Sequence, residues 1–291
     1  MKLYILLSYA YRPVIDFWLK NHSFKNTVLM VDSGAFTNWQ LGKKIDINDY
    51  VNYLKNDVAP TVQNYSAIQL DVIGEPVQTR KNLDKMCNEN LNILPVFTKG
   101  EKYSELKELY KYNDYICCGG LVGSQADTYI NHLMKISPQS KLHLLGYGKQ
   151  RQLKLLKPYS ADVTNILDFF KFGKFSLWNK SKCLLFIIDP LEFFNLTCDN
   201  SLVTDIKKYK KSCFTRCRFG EHKGQHESTA LLVVIQQYLL QAVYFYYVHN
   251  VRLYFSISSH GIIFSRYMEI VMQSKEVQDY IKELKIMKGI I

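Results

Sequence analysis

Leu29-Met30-Val31-Asp32-Ser33-Gly34-Ala35-Phe36 is the stretch on which the reading of this chain turns. An apolar run that stops at Asp-Ser-Gly predicts a buried strand ending in a turn, with Asp32 at the strand's C-terminal mouth. Gly34 lets the backbone of that turn come close to whatever lies beside it. Taken alone, Asp32 could as well cap the segment that follows. Recurrence argues for more than a cap, because short apolar runs ending in Asp or Gly return along the next 130 or so residues at barrel-like spacing.

Upstream, Lys2–Ser8 reads as a first strand and Val14–Lys20 as a short helix. Downstream of the Asp32 turn, Asn48–Val58 has helical spacing and stops at Pro60. Ala67–Leu70 reads as a strand that ends in Asp71-Val72-Ile73-Gly74, and Pro76 opens a helix to about Asn90. Ile93–Phe97, Tyr115–Cys118, Lys141–Leu145 and Ser160–Val163 continue as strands, with helices expected at 103–112, 126–136 and 150–156. Strands this short, each followed by a helix, predict a parallel sheet. The expected architecture is α/β, a closed (β/α)8 TIM-type barrel, with a doubly wound sheet as the competitor. Strand-end Asp32, Asp71, Gly119-Gly120 and Asp162 favour the barrel, whose sites are built from such loops.

The alternation breaks after Asn165. Residues 169–179 read as a hairpin or irregular strand pair, and Leu184–Ile188 as one more strand. A polar, basic segment (198–226), a long apolar helix ending at His249-Asn250 and a last helix at about 265–285 follow. The expected division is a catalytic barrel over 1–190 and a zinc-binding, helical C-terminal part over 191–291, packed on the barrel.

With 291 residues, 47% of them hydrophobic and 22% charged, the chain can bury a sizeable core as a globular protein. Its formal charge of +11 favours a polyanionic partner such as nucleic acid, although a composition rich in Lys, Asn, Ile and Tyr also raises the Lys count. Seven cysteines do not make a disulfide framework in a chain of this size, and Cys117-Cys118 reads as core. Met1–Ala10 lacks the charged lead and cleavage site of a signal peptide. Ala230–Val248 carries Gln236, Gln237 and Gln241 and reads as a buried helix rather than a membrane span. A cytoplasmic, reducing compartment is expected.

Two carboxylates facing each other across a barrel mouth can divide nucleophile and acid/base work, and Asp32 and Asp162 are the pair chosen. Asp71 suits an edge carrying an amide N–H and an amine, such as guanine's, and Gly119-Gly120 offers main-chain groups to a flat ligand. Cys213 and Cys217 with His222, His226 and His249 supply enough thiolates and imidazoles for a tetrahedral zinc site; free thiols in a basic loop are the alternative. The same segment holds Lys207, Lys208, Lys210, Lys211, Arg216, Arg218 and Lys223, and would suit phosphates.

These motifs resemble the tRNA-guanine transglycosylases. Asp32-Ser33-Gly34-Ala35-Phe36 is similar to the family's Asp-Ser-Gly-Gly-Phe/Tyr, whose aspartate is the general acid/base. Leu70-Asp71-Val72 resembles its base-recognising aspartate, Gly119-Gly120-Leu121 its Gly-Gly-Leu loop, and Leu145-Gly146-Tyr147-Gly148 the turn before the nucleophile. Asp162 falls at the nucleophile's position, and Phe36 and Leu145 match the two residues that sandwich the purine. Ala35 replaces the motif's second glycine, and Thr164-Asn165-Ile166 stands where the tRNA enzymes carry Pro-Thr-Arg. The zinc motif is reduced to Cys213-x3-Cys217, to be completed by His226 and His249, with His222 as the alternative to His226.

Leu-Asp-Val-Ile-Gly, Leu-Pro-Val-Phe and Gly-Gly-Leu-Val-Gly look more like the DpdA-type branch, which places 7-deazaguanine bases such as preQ0 in DNA and occurs in phages. The resemblance thus implies guanine exchange in DNA through a covalent aspartyl intermediate, with a structural zinc ion and room for a helper ATPase or a homodimer. The tRNA-modifying enzyme, a non-catalytic nucleic-acid-binding paralogue and an unrelated phosphate-binding barrel enzyme remain the alternatives.

Overall fold

The computed structural model describes residues 1–121, 125–137, 141–164, 166, 175–188, 225–257 and 261–291. These residues form two compact units, Met1–Val163 with Val251–Ser265, and Thr164–Asn250 with Arg266–Ile291.

The first unit is a parallel, nearly closed, barrel-like sheet with helices, consistent with a TIM-type barrel. Its strands are β1 (Leu3–Ser8), β2 (Thr27–Asp32), β3 (Tyr65–Ile68), β4 (Ile93–Leu94), β5 (Val96–Thr98), β6 (Tyr115–Gly119), β7 (Lys141–Leu144) and β8 (Ser160–Val163). A strand that the sequence reading did not anticipate, Arg252–Ile257, inserts between β1 and β8. It is called β11, because two further strands precede it in the chain. The chain therefore leaves this unit after Val163 and returns to it at Val251, whereas the sequence reading drew a single boundary at 190.

The order is β4-β3-β2-β1-β11-β8-β7-β6-β5. Its two ends, β4 and β5, are one run of chain interrupted by Pro95 where a single strand was expected. Proline has no N–H to give to a ladder, so regular pairing stops there. Neighbours on both sides bridge the gap. The Pro95 carbonyl accepts from Cys117 N at 2.8 Å, and the Val96 N–H donates to the buried Gln69 side chain at 2.8 Å.

Alternate residues point inward, as strand geometry requires. Leu6, Met30, Ile68, Leu94, Val96, Cys117 and Tyr254 fill the interior as one cluster, with Tyr4, Val28, Tyr115 and Leu145 packed against it. Continuing the same alternation by two residues carries Leu6 to Ser8 and Met30 to Asp32, at the C-terminal ends of paired strands. The interior is thus a packed core with a polar rim.

Helices over Arg12–Asn21, Pro76–Cys87, Tyr103–Leu109, Ala126–Ile136 and Gln150–Leu156 lie near their expected positions. The helix starting at Ile47 is capped by Asp46, which accepts the Asn48 and Asp49 N–H groups, and it passes through a wider turn at Leu54–Val58.

In the second unit, β9 (Phe175–Asn179) and β10 (Leu184–Ile188) pair as an antiparallel hairpin. The helix Gln225–His249 includes Leu231–His249, the one stretch among the described residues apolar and long enough to span a membrane by length and composition. It is mostly buried in this structure. Gln237 of this helix accepts the Trp178 N–H at 2.8 Å, and the Trp178 indole donates to Tyr280 at 3.3 Å. The helix expected at about 265–285 is two, Gly261–Met272 and Lys275–Met287, separated at Gln273-Ser274.

Candidate active site

At the C-terminal rim of the sheet Asp32 lies within electrostatic reach of both other carboxylates singled out from the sequence, Asp162 and Asp71. Asp32 ends β2 in register with Ser8 of β1. Gly34 follows it with φ +77°, a left-handed conformation, and its N–H donates to Asp32 Oδ2 at 3.1 Å. A Cβ on Gly34 would stand 2.6 Å from Ala10 N and 2.7 Å from Ala10 Cβ, so the turn carrying Asp32 is pressed against the chain following β1. Burial lifts Asp32 above the ordinary carboxylate range. The Ser8 hydroxyl opposes this, the Asp162 charge adds to it, and the Gly34 N–H and His143 work against it.

Asp71 sits in the loop after β3, pinned by the helix Pro76–Cys87. The Asn82 amide donates to Leu70 O at 2.9 Å, and the Thr79 hydroxyl accepts the Val72 N–H at 2.9 Å. Burial raises the Asp71 carboxyl to about 6, helped by the Asp32 charge; its own backbone N–H and the Ser33 hydroxyl hold it down. Ser33 thus links the Asp32 turn to Asp71. A cavity of about 530 Å³ opens between the loops after β3 and β5, with Asp71, Val72, Arg80, Lys99 and Glu101 in its wall.

Asp162 lies on β8, paired with Tyr254, and is 4% exposed. Its Oδ1 accepts the Gly146 N–H at 2.6 Å and lies 3.4 Å from His143 Nε2. Gly146, expected among the substrate-binding residues, therefore directs its N–H at the candidate nucleophile. The loop holding it is tied down by Asp127, which accepts from Tyr147 at 2.6 Å and from Lys149 at 2.7 Å.

Gly119 ends β6, buried, with its carbonyl accepting the Lys99 N–H at 3.2 Å; a Cβ there would lie 3.8 Å from the Leu145 side chain. Gly119 and Leu145 are therefore neighbours. Gly120 is exposed at φ +70°, and Leu121 is buried. Phe36 is 50% exposed on the helix Ala35–Gln40, where its ring stacks at 6.0 Å on Trp39, itself 58% exposed.

The inward alternation brings to the site residues that the sequence reading did not assign to it: Cys117, read there only as core, and His143 and Ser160. Cys117 lies in the core cluster below the rim, and burial, Cys118 and then Asp32, Asp162 and Asp71 all push its thiol up. His143 and Ser160 each precede a singled-out residue, Leu145 and Asp162, by two positions. The period of a strand was the signal that could have found them.

Of the proposed zinc ligands, Cys213 and Cys217, and the alternative His222, lie outside the described residues, as does the basic segment around them. His226 starts the long helix, but its side chain also lies outside the description. His249 ends that helix, with Nε2 3.3 Å from the Tyr244 hydroxyl. Among the described residues, no group of three or more His, Cys, Asp or Glu could hold a metal ion.

Comparison with protein-family models, curated proteins and solved structures returned no significant match to this chain.

Proposed function

We infer that the protein is a transglycosylase that exchanges guanine in DNA for a 7-deazaguanine base such as preQ0. On this reading it is a (β/α)8 barrel enzyme of the DpdA-like branch of the tRNA-guanine transglycosylase superfamily. The observation that carries the reading is the pairing of Asp32 and Asp162 at the rim, with Asp32 lifted by burial and by the neighbouring charge. Two carboxylates in unequal surroundings suit unequal tasks.

The guanine must leave the base stack to reach a barrel mouth. An Asp162 oxygen attacks C1′, forming a C1′–O bond as the bond to guanine N9 breaks. Protonated Asp32 gives its proton to the departing base. It then takes the N9 proton of the incoming base, whose nitrogen displaces Asp162 from C1′, so that no net proton is gained or lost. Asp71 accepts from the N1–H and 2-amino group of either base. Gly119, Gly120 and Leu121 contact the base through the main chain, and Phe36 and Leu145 flank it.

The charge of +11 supports a polyanionic partner. Cys213, Cys217, His226 and His249 would hold a structural zinc ion, a donor set suited to tetrahedral coordination. The working compartment is a reducing cytoplasm, of a bacterium or a phage-infected cell, with no membrane partner. Cys87, Cys117 and Cys118 form no disulfide.

The test is incorporation of radiolabelled preQ0 into double-stranded DNA and, in parallel, into unmodified tRNA. Label in DNA alone, abolished by Asp162→Ala in a variant that keeps its circular dichroism spectrum, is expected. Wild-type turnover in Asp162→Ala would sink the assignment. Label in tRNA alone would move the protein to the tRNA-modifying branch.

A further inference from the structure

We propose that His143 is a positioning residue that fixes the Asp162 carboxylate and leaves Oδ2 as the oxygen that attacks. The proposal rests on the reading of Asp162 as nucleophile and adds a residue to it. His143 is fully buried on β7. Its Nδ1 lies 2.7 Å from Ser160 Oγ, and that hydroxyl lies 2.6 Å from the Tyr115 hydroxyl. The ring meets Tyr254 edge-on at 5.4 Å and Tyr115 at 6.4 Å. Strands β6, β7, β8 and β11 thus each contribute to the box around one imidazole.

Nε2 makes no hydrogen bond of good geometry, and the carboxylate oxygen it faces, 3.4 Å away, is Asp162 Oδ1. A buried ring nitrogen needs a partner. One proton order serves the whole chain: Tyr115 donates to Ser160, Ser160 donates to Nδ1, and Nε2–H points at Oδ1. Oδ1 also accepts the Gly146 N–H at 2.6 Å. Both neighbours therefore act on the same oxygen. Rotating the carboxylate would move Oδ1 away from the Gly146 N–H and from Nε2 together, so the attacking oxygen is selected before substrate arrives.

The first measurement is the long-range 1H–15N spectrum of the imidazoles in the full-length protein, wild type against Asp162→Asn. The expected result is a wild-type His143 protonated at Nε2 whose Nε2 resonance moves in the variant. A His143 resonance pair unchanged by Asp162→Asn overturns the contact. The second is single-turnover formation of the covalent complex with DNA. His143→Asn keeps a side-chain amide near the position of Nδ1 but removes Nε2, and is expected to slow the step about 10- to 100-fold. DNA affinity and the melting temperature should hold, and His143→Gln, whose longer amide reaches toward Oδ1, should recover part of the rate. Equal losses of rate and affinity in both variants would mark a merely structural role and overturn the proposal. Exchange surviving Asp162→Ala overturns the nucleophile reading. Loss of exchange in Asp162→Ala beside a wild-type rate in His143→Asn overturns the positioning role alone.

Discussion

Replacing Asp71 by Asn should stabilise the fold at neutral pH. In the folded protein the Asp71 carboxyl titrates at about 6, raised first by burial and then by Asp32. In the unfolded chain it titrates near about 3.9. Between those values the native state holds a proton that the unfolded state has released, so stability falls as pH rises through the window and levels off above it. The gap corresponds to roughly 3 kcal/mol lost by pH 8. Asn carries no charge to desolvate, sets no repulsion against Asp32, and keeps an oxygen for the Ser33 hydroxyl. Asp71→Asn should therefore melt about 6–12 °C above wild type at pH 8, for a domain of this size. The difference should shrink to nothing by about pH 3, below both titrations. Thermal unfolding followed by circular dichroism at half-unit pH steps measures it. A variant no more stable than wild type at pH 8, or a gap constant from pH 4 to 8, would refute the placement of Asp71 beside Asp32. The same substitution should weaken use of guanine-like bases, since the amide replaces one of the two accepting oxygens by an NH2 donor that faces a donor of the base.

Gly34→Ala forces a side chain into left-handed backbone and onto Ala10, and should cost about 2–5 kcal/mol; urea unfolding midpoints would report it. Gln69→Leu removes the acceptor that Val96 N–H uses beside Pro95, and should cost about 1–3 kcal/mol with faster amide exchange at Val96. Purified protein should carry one zinc ion per chain by elemental analysis, and Cys213→Ser should lose it. Retention of the metal in that variant would remove Cys213 from the ligand set.

The run of short apolar segments alternating with helices was enough to reach a parallel, barrel-like sheet, because backbone pairing and burial of both strand faces leave few other arrangements. Asp32 and Asp162 stood out for the same reason, as charges placed where apolar strands stop. Arg252–Ile257 escaped notice because nearly 90 residues separate it from β8 in the chain, and nothing local says that it pairs with both β8 and β1. His143 escaped because a histidine inside a short apolar run gives no sign of what it faces. The sequence by itself determined the strand-end carboxylates, the glycine turns and the periodicities, all properties of neighbouring residues. Only the tertiary structure decided that β11 lies between β1 and β8, that Asp162 lies near enough to raise Asp32, and that Asp32 in turn raises Asp71. It also decided that Gly146 and His143 converge on one oxygen of Asp162. Those facts are distances across the sheet, set by strand order and register, and carboxylates interact through space rather than along the chain.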